Sequence, residues 1–221
     1  MTSEVTFSPI DDENPWKATV NGSESTVRFL KLESKWGKLE FGRGSDGRKG
    51  WLWTETGGGG SVTMPWATTP NGDLLVGLLL EKRLNMGGDV LCVIGGFVKP
   101  DESHQKAAER EEEEEASIQS NDGPLAGVPI NSNRLYFQAN PQKDEGVHSY
   151  HVQVPFTDLT PANKHPNWYT HSRWQPKNGA ELVFMPIEEA AQICPDALAY
   201  PAMLRIALEQ REKSRNVLAQ H

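Results

Sequence analysis

Gly95-Gly96-Phe97-Val98-Lys99-Pro100-Asp101-Glu102-Ser103-His104-Gln105-Lys106-Ala107-Ala108-Glu109-Arg110-Glu111-Glu112-Glu113-Glu114-Glu115-Ala116-Ser117-Ile118 is the stretch on which the fold is read. Residues 103–118 contain no Gly or Pro, and Ser103 stands where an N-cap hydroxyl is wanted, so a helix is expected there. Between Glu109 and Glu115 every residue but Arg110 is glutamate. Such a run is ordinarily a solvated helix face, but its spacing argues for more. Like charges at i and i+4 destabilise a helix by a few tenths of a kcal/mol, so Glu111 stacked on Glu115 needs a cation or an outward position. At about 100° per residue, Glu111, Glu114 and Glu115 share one face. They form a set of hard oxygen donors of the kind Mg²⁺ or Mn²⁺ takes. A strand, the Gly95-Gly96 turn and Glu102 precede the helix, which would let backbone carbonyls join the carboxylates.

Gly96, Glu102, Arg110-Glu111, Glu114-Glu115 and Ile118 stand in the register of the Nudix hydrolase signature, with six of its seven fixed Gly, Glu and Arg positions matched. The resemblance runs more loosely over about 70–210, through Val93-Ile94-Gly95-Gly96, Ala107-Ala108 and the Leu182 to Ala190 strand-to-helix segment. It implies an α/β Nudix fold, a mixed β-sheet sandwiched between helices, with a small β-rich N-terminal extension. It also implies a divalent-metal-dependent pyrophosphohydrolase using Mg²⁺ or Mn²⁺. Glu111 and Glu115 would be primary metal ligands, Glu114 a further ligand, and the Gly95 carbonyl would complete the shell. Gly96 and Glu102 would be structural, Arg110 pairing with Glu102 to fix the loop against the helix. The general base would be Glu111 or a later carboxylate, Glu145 or Glu181.

Two positions depart from the signature. Residue 112, aliphatic in relatives, is Glu112, and residue 117, glycine in relatives, is Ser117. A glycine there would let the chain enter the left-handed region where the helix stops. Glu112 cannot be buried unpaired and charged. It can pair with a base such as Arg134, take up a proton, or reach water on a rotated helix, and partial exposure is the favoured expectation.

Outward from this stretch the chain alternates strands and helices. Thr26 to Leu32, Gly37 to Phe41 and Trp51 to Thr54 read as strands, Gly44 to Gly47 as a turn, and Gly57 to Gly60 as a flexible break. Asp73 to Arg83 is a near-continuous apolar run after the hairpin signal Asn71-Gly72. Asp89 to Ile94, Arg134 to Gln138, His148 to Pro155 and Leu182 to Met185 are further strands. Residues 119–133 and 157–179 read as loops, and 187–193 and 197–219 as helices. The expected division is residues 1–66 as arm and extension, and 67–221 as the hydrolase domain.

Composition narrows the partners. With 22 Lys plus Arg against 30 Asp plus Glu, the formal charge is −8, which argues against a stable nucleic-acid complex built on phosphate contacts. No stretch approaches the roughly 20 apolar residues of a membrane helix. Residues 1–30 carry Asp11, Asp12 and Glu13 and no apolar core of a secretory signal. Cys92 and Cys194 are too few for a disulfide framework. A cytoplasmic protein, able to form a homodimer, is expected.

The resemblance implies a small-nucleotide substrate. The β-rich extension resembles that of ADP-ribose and nucleoside-diphosphate-sugar pyrophosphatases, so an ADP-ribose-like nucleoside diphosphate is the first choice. Tyr136 falls where some dinucleoside polyphosphate hydrolases carry a tyrosine, so those compounds and nucleoside triphosphates are alternatives. Arg83, Tyr136, Trp168 and Trp174 are candidate substrate contacts, the last two on a lid. Glu112 and Ser117 leave a second class open: a catalytically weak Nudix-fold protein that binds a nucleotide or a partner.

Overall fold

A computed structural model describes residues 6–7, 16–20, 23–27, 30–33, 37–43, 49–83, 87–118, 126–128, 146–163, 165–176 and 179–218. The strands are β1 (Thr6–Phe7), β2 (Trp16–Val20), β3 (Ser23–Val27), β4 (Leu30–Glu33), β5 (Gly37–Arg43), β6 (Lys49–Glu55), β7 (Gly59–Thr68), β8 (Leu74–Arg83), β9 (Gly88–Cys92) and β10 (Ile94–Phe97). Helix α1 (His104–Ala116) follows, then β11 (Ala126–Val128), β12 (Gly146–Gln153), β13 (Leu159–Pro161), β14 (Tyr169–His171) and β15 (Glu181–Pro186). Helices α2 (Ile187–Ile193) and α3 (Ala199–Leu218) complete the order.

The chain divides into two compact units. The first comprises residues 1–59, 97–101 and 131–146. Its strands form an antiparallel sheet in the order β1-β4-β5-β6 and a separate β2-β3 pair. The alternating run from Thr26 to Leu32 is therefore not one strand: it is shared between two sheets, with no Gly or Pro to mark the change. The expected turn at Gly44 to Gly47 lies outside the described residues. The glycines at 57–59 form a fixed turn rather than a flexible break. Gly57, Gly58 and Gly59 have φ of 84°, 92° and 128°. A Cβ on Gly59 would collide with the Gly146 carbonyl, and the Gly59 carbonyl accepts from the Val98 N–H at 2.9 Å.

The second unit comprises residues 60–96, 102–130 and 147–221. It holds a nine-stranded sheet with the path β11-β12-β7-β8-β15-β14-β13, β10 pairing with β7 and β9 with β8. Strand β7 runs through Trp66. Strand β8 lies between β7 and β15 and is covered on both faces, which is why its apolar run is continuous rather than alternating. Val76 and Leu78 face a core with Val62, Met64, Trp66 and the helices α2 and α3. Leu75 and Leu79 face a second core with Cys92, Ile94, Phe184 and the end of α1 at Ala116 and Ile118. The sheet is thus sandwiched between α1 on one side and α2 and α3 on the other.

The 157–179 segment is not a structureless lid. It carries β13 and β14, which extend the sheet beyond β15 in antiparallel register. His171 Nδ1 accepts from the backbone N–H groups of Arg173 and Trp174 at 3.2 and 3.1 Å. β11 likewise occupies part of the stretch read as a loop over 119–133. The expected strand at Arg134 to Gln138 lies outside the described residues.

Candidate active site

Helix α1 starts at a Ser103 cap whose hydroxyl accepts from the Lys106 N–H at 3.2 Å. Its last carbonyls, Glu112 and Glu113, accept from the Ile118 and Ser117 N–H groups at 3.1 and 3.2 Å. Ser117 itself takes the left-handed conformation, with φ of 57°, that glycine would have taken freely. Its hydroxyl donates to the Gln175 carbonyl at 2.8 Å, a tether that glycine cannot make.

The two glycines before the helix lie where side chains would not fit. A Cβ on Gly95 would run into the Ser61 carbonyl of β7, and one on Gly96 into the Glu111 carboxylate. Glu111 and Glu115, one helical turn apart, therefore both reach the Gly95-Gly96 backbone. Glu115 Oε2 accepts from the Gly95 N–H at 3.0 Å. Burial pushes the Glu115 carboxyl up to about 7, the charges of Glu111 and Glu81 adding to it and the Gly95 amide and Arg83 opposing it. Arg110 grips Glu102 in a fork, Nε to Oε1 at 2.9 Å and Nη2 to Oε2 at 3.0 Å. Its Nη1 donates to Glu111 Oε1 and reaches Glu114 Oε2 at 3.3 Å.

Glu114 shares the Arg110 Nη1 with Glu111. Its side chain is 52% exposed and turned to Arg110. Among the described residues no three His, Cys, Asp or Glu side chains converge as a metal-binding group.

Glu112 is not partly exposed, as expected from the sequence, but buried at 3%. It lines up with Ala108 and Ala116 against the sheet, so the helix has not rotated to bring it to water. Its Oε1 has no hydrogen-bond partner. Burial pushes its carboxyl up to about 8, with Glu109 adding to the shift and the Thr63 hydroxyl opposing it. Burial thus favours the protonated carboxyl, and Arg134, the base named for a pairing, lies outside the described residues.

The other candidates separate by sheet face. Glu181 is directly opposite Leu80, and Leu80 packs on the α2–α3 side. Facing pairs share a face, so Glu181 lies on the side of the sheet away from α1 and does not serve as the base there. Trp168 and Trp174 are core residues, 6% and 4% exposed, one in each core, and neither is presented to a ligand. Trp168 donates to Glu189 Oε1 at 2.8 Å. Arg83 is half-exposed on β8. Glu145 and Tyr136 lie outside the described residues. The sequence alone does not single out Glu81, which sits beside Arg83 and acts on Glu115: β8 is apolar on both faces, so its alternation carries no readable phase.

The family model for the NUDIX domain matches residues 61–205. The chain belongs to the Nudix family. It is a Nudix-type pyrophosphohydrolase with the Nudix fold. Solved structures similar to this Nudix chain include an ADP compounds hydrolase, at 14% identity over 93% of this chain and 99% of the other, with a TM-score of 0.49. Others are the M. smegmatis Nudix hydrolase RenU, at 14% identity over 80% and 96% with a TM-score of 0.47, and a C. elegans Ap4A hydrolase complex, at 14% over 69% and 98% with a TM-score of 0.43. No curated protein sequence matches it significantly.

The Nudix box fits a divalent cation in its donor chemistry. Glu111 and Glu115 offer hard oxygens at the Gly95-Gly96 backbone of β10, and burial disfavours Glu115 as an anion. Glutamates crowd the C-terminal half of α1, where the helix dipole is itself negative and the last turn holds no basic residue. A cation at Glu111 and Glu115 would relieve both strains.

Proposed function

We propose that this Nudix hydrolase cleaves the pyrophosphate bond of a nucleoside diphosphate joined to a further moiety, ADP-ribose-like compounds first, with Mg²⁺ or Mn²⁺. The observation that supports this reading is the meeting of the Glu111 and Glu115 carboxylates at the Gly95-Gly96 backbone. The bound metal supplies charge neutralisation at the pyrophosphate and an acidified water. Glu111 and Glu115 would hold it, with Glu114 and the Gly95 carbonyl as further donors. Arg110 keeps the Glu102 loop against α1 and orients Glu111. Arg83 is the cationic contact for a substrate phosphate. Glu111 or Glu145 takes the proton of the attacking water. The β-rich residues before the sheet favour the ADP-ribose-like class over dinucleoside polyphosphates and nucleoside triphosphates. A hydrolase domain starting near residue 67, a cytoplasmic setting and a homodimer belong to the same reading.

The test is product release from ADP-ribose, a UDP-sugar, a diadenosine polyphosphate and a nucleoside triphosphate, with Mg²⁺, with Mn²⁺ and with EDTA. Metal-dependent release of nucleoside monophosphate, fastest from ADP-ribose, is expected. Release that EDTA leaves intact, or none from any compound, would overturn the reading.

A further inference from the structure

Along β8 the side chains that enter the α1-side core are Leu75 and Leu79, whereas Leu74 and Leu80 pack on the opposite core. The alternation therefore carries Glu81 and Arg83 on to the α1 side, just past Leu79. Cys92, opposite Leu79 on β9, joins them. Its thiol donates to Glu81 Oε1 at 3.1 Å, Glu81 Oε1 accepts from Arg83 Nε at 2.5 Å, and Arg83 Nη2 donates to Cys92 Sγ at 3.6 Å. The three side chains close a hydrogen-bonded ring. Burial pushes the Cys92 thiol up to about 12, so it keeps the proton that it gives to Glu81.

The ring adjoins the box: Leu79 and Cys92 pack in the same core cluster as Ile94 before the glycines and Ala116 and Ile118 at the end of α1, and the charges of Glu81 and Arg83 act on Glu115. Two arginines are thus near these carboxylates, in opposite situations. Arg110 has 17% of its side chain exposed and binds Glu102, Glu111 and Glu114. Arg83 has 49% exposed. With Nε on Glu81 and Nη2 on Cys92, Nη1 remains to bind an anion, and the guanidinium plane is already fixed. A preset plane aims that nitrogen at a phosphate oxygen in a fixed direction, which the rotating ammonium of a lysine cannot do.

We propose that Glu81 is a positioning residue which, with Cys92, locks the Arg83 guanidinium beside Glu115 as the protein's own ligand for a phosphoryl group of the substrate. The proposal rests on the pyrophosphatase reading for its substrate and adds the residue that orients the phosphate contact. A plain ion pair at the end of the β8–β9 hairpin would stabilise the hairpin and leave affinity alone, so the two roles part experimentally.

The probe is inorganic pyrophosphate, titrated calorimetrically into the full-length protein with Mg²⁺ present, alongside kcat and KM on the best substrate. Arg83→Gln and Glu81→Gln should each weaken pyrophosphate about tenfold, the worth of one charge-assisted contact, and raise KM by a similar factor with kcat nearly unchanged. Arg83→Lys, which keeps the charge and the fold, should recover only part of the affinity. Thermal midpoints should barely move. Pyrophosphate binding that is absent from the parent, or equal in the parent and Arg83→Gln, would overturn the proposal even if metal-dependent hydrolysis stands. So would a Glu81→Gln variant that loses stability but not affinity. Hydrolysis that fails on every compound while Arg83 still governs pyrophosphate binding would instead sink the substrate reading and leave the anion contact supported.

Discussion

Glu112 exchanges an aliphatic contact beneath the box helix for a buried carboxyl, and its proton decides what that does to stability. Its folded-state value of about 8 lies above the ordinary 4.5, so the folded chain binds this proton more tightly than the unfolded one. Stability from this site is full below about 4.5 and declines as the pH rises through about 8. Glu112→Gln, a neutral isostere, should match the parent at pH 5 and melt higher at pH 8.5. Glu112→Leu should stabilise by about 1–2 kcal/mol near pH 8, since an apolar side chain gains from that burial. A melting series from pH 5 to 9 checks both, and a lower midpoint for Glu112→Gln at pH 8.5 would reveal a partner for the ionised form. At Ser117, removing the hydroxyl bond to Gln175 while keeping the left-handed backbone should destabilise by about 1 kcal/mol, so Ser117→Ala should shift the denaturant midpoint down without changing the slope. The signature register marked both positions as departures. Their consequences were hidden because burial and tethers depend on what β7 and the 175 loop bring to the helix.

At the level of elements, α3 is fastened to the sheet through a buried imidazole. Trp66 Nε1 donates to His151 Nδ1 at 3.1 Å, and His151 Nε2 faces Glu209 Oε2 at 3.3 Å. Accepting at Nδ1, the neutral ring carries its proton on Nε2, towards Glu209. Burial lowers the His151 pKa; Glu209 opposes this, while Lys213 and Arg205 add to it. A histidine that resists protonation when folded gives full stability above about 6.5 and loses it progressively as the pH falls from there through its lowered folded-state value. His151→Gln, able to accept and donate at the same places, should flatten the acid-side decline of the melting midpoint between pH 7.5 and 5.5. An unchanged decline would assign it to carboxylates elsewhere. Strand alternation was readable in the sequence, but its phase was not: β8 and β15 are apolar on both faces, so nothing local told that Glu81 lies on the α1 side and Glu181 on the other. The lid reading failed similarly, because an edge strand with polar neighbours and turn-forming His171 bonds has the composition of a loop.

Across the whole molecule, the motif located the Nudix domain and its chemistry class. Among the described residues no helix is long and apolar enough to cross a membrane. The net charge of −8 means that a polyanionic substrate approaches a like-charged protein, so a cation at the box is central to the account. The most direct test is the initial rate of ADP-ribose hydrolysis at saturating Mg²⁺ by the parent and by Glu115→Gln, each verified folded by its melting curve. The account predicts that the variant loses at least about a hundredfold in kcat, the scale expected when a group acting on the transition state is removed. A folded Glu115→Gln protein within a few-fold of the parent would contradict it.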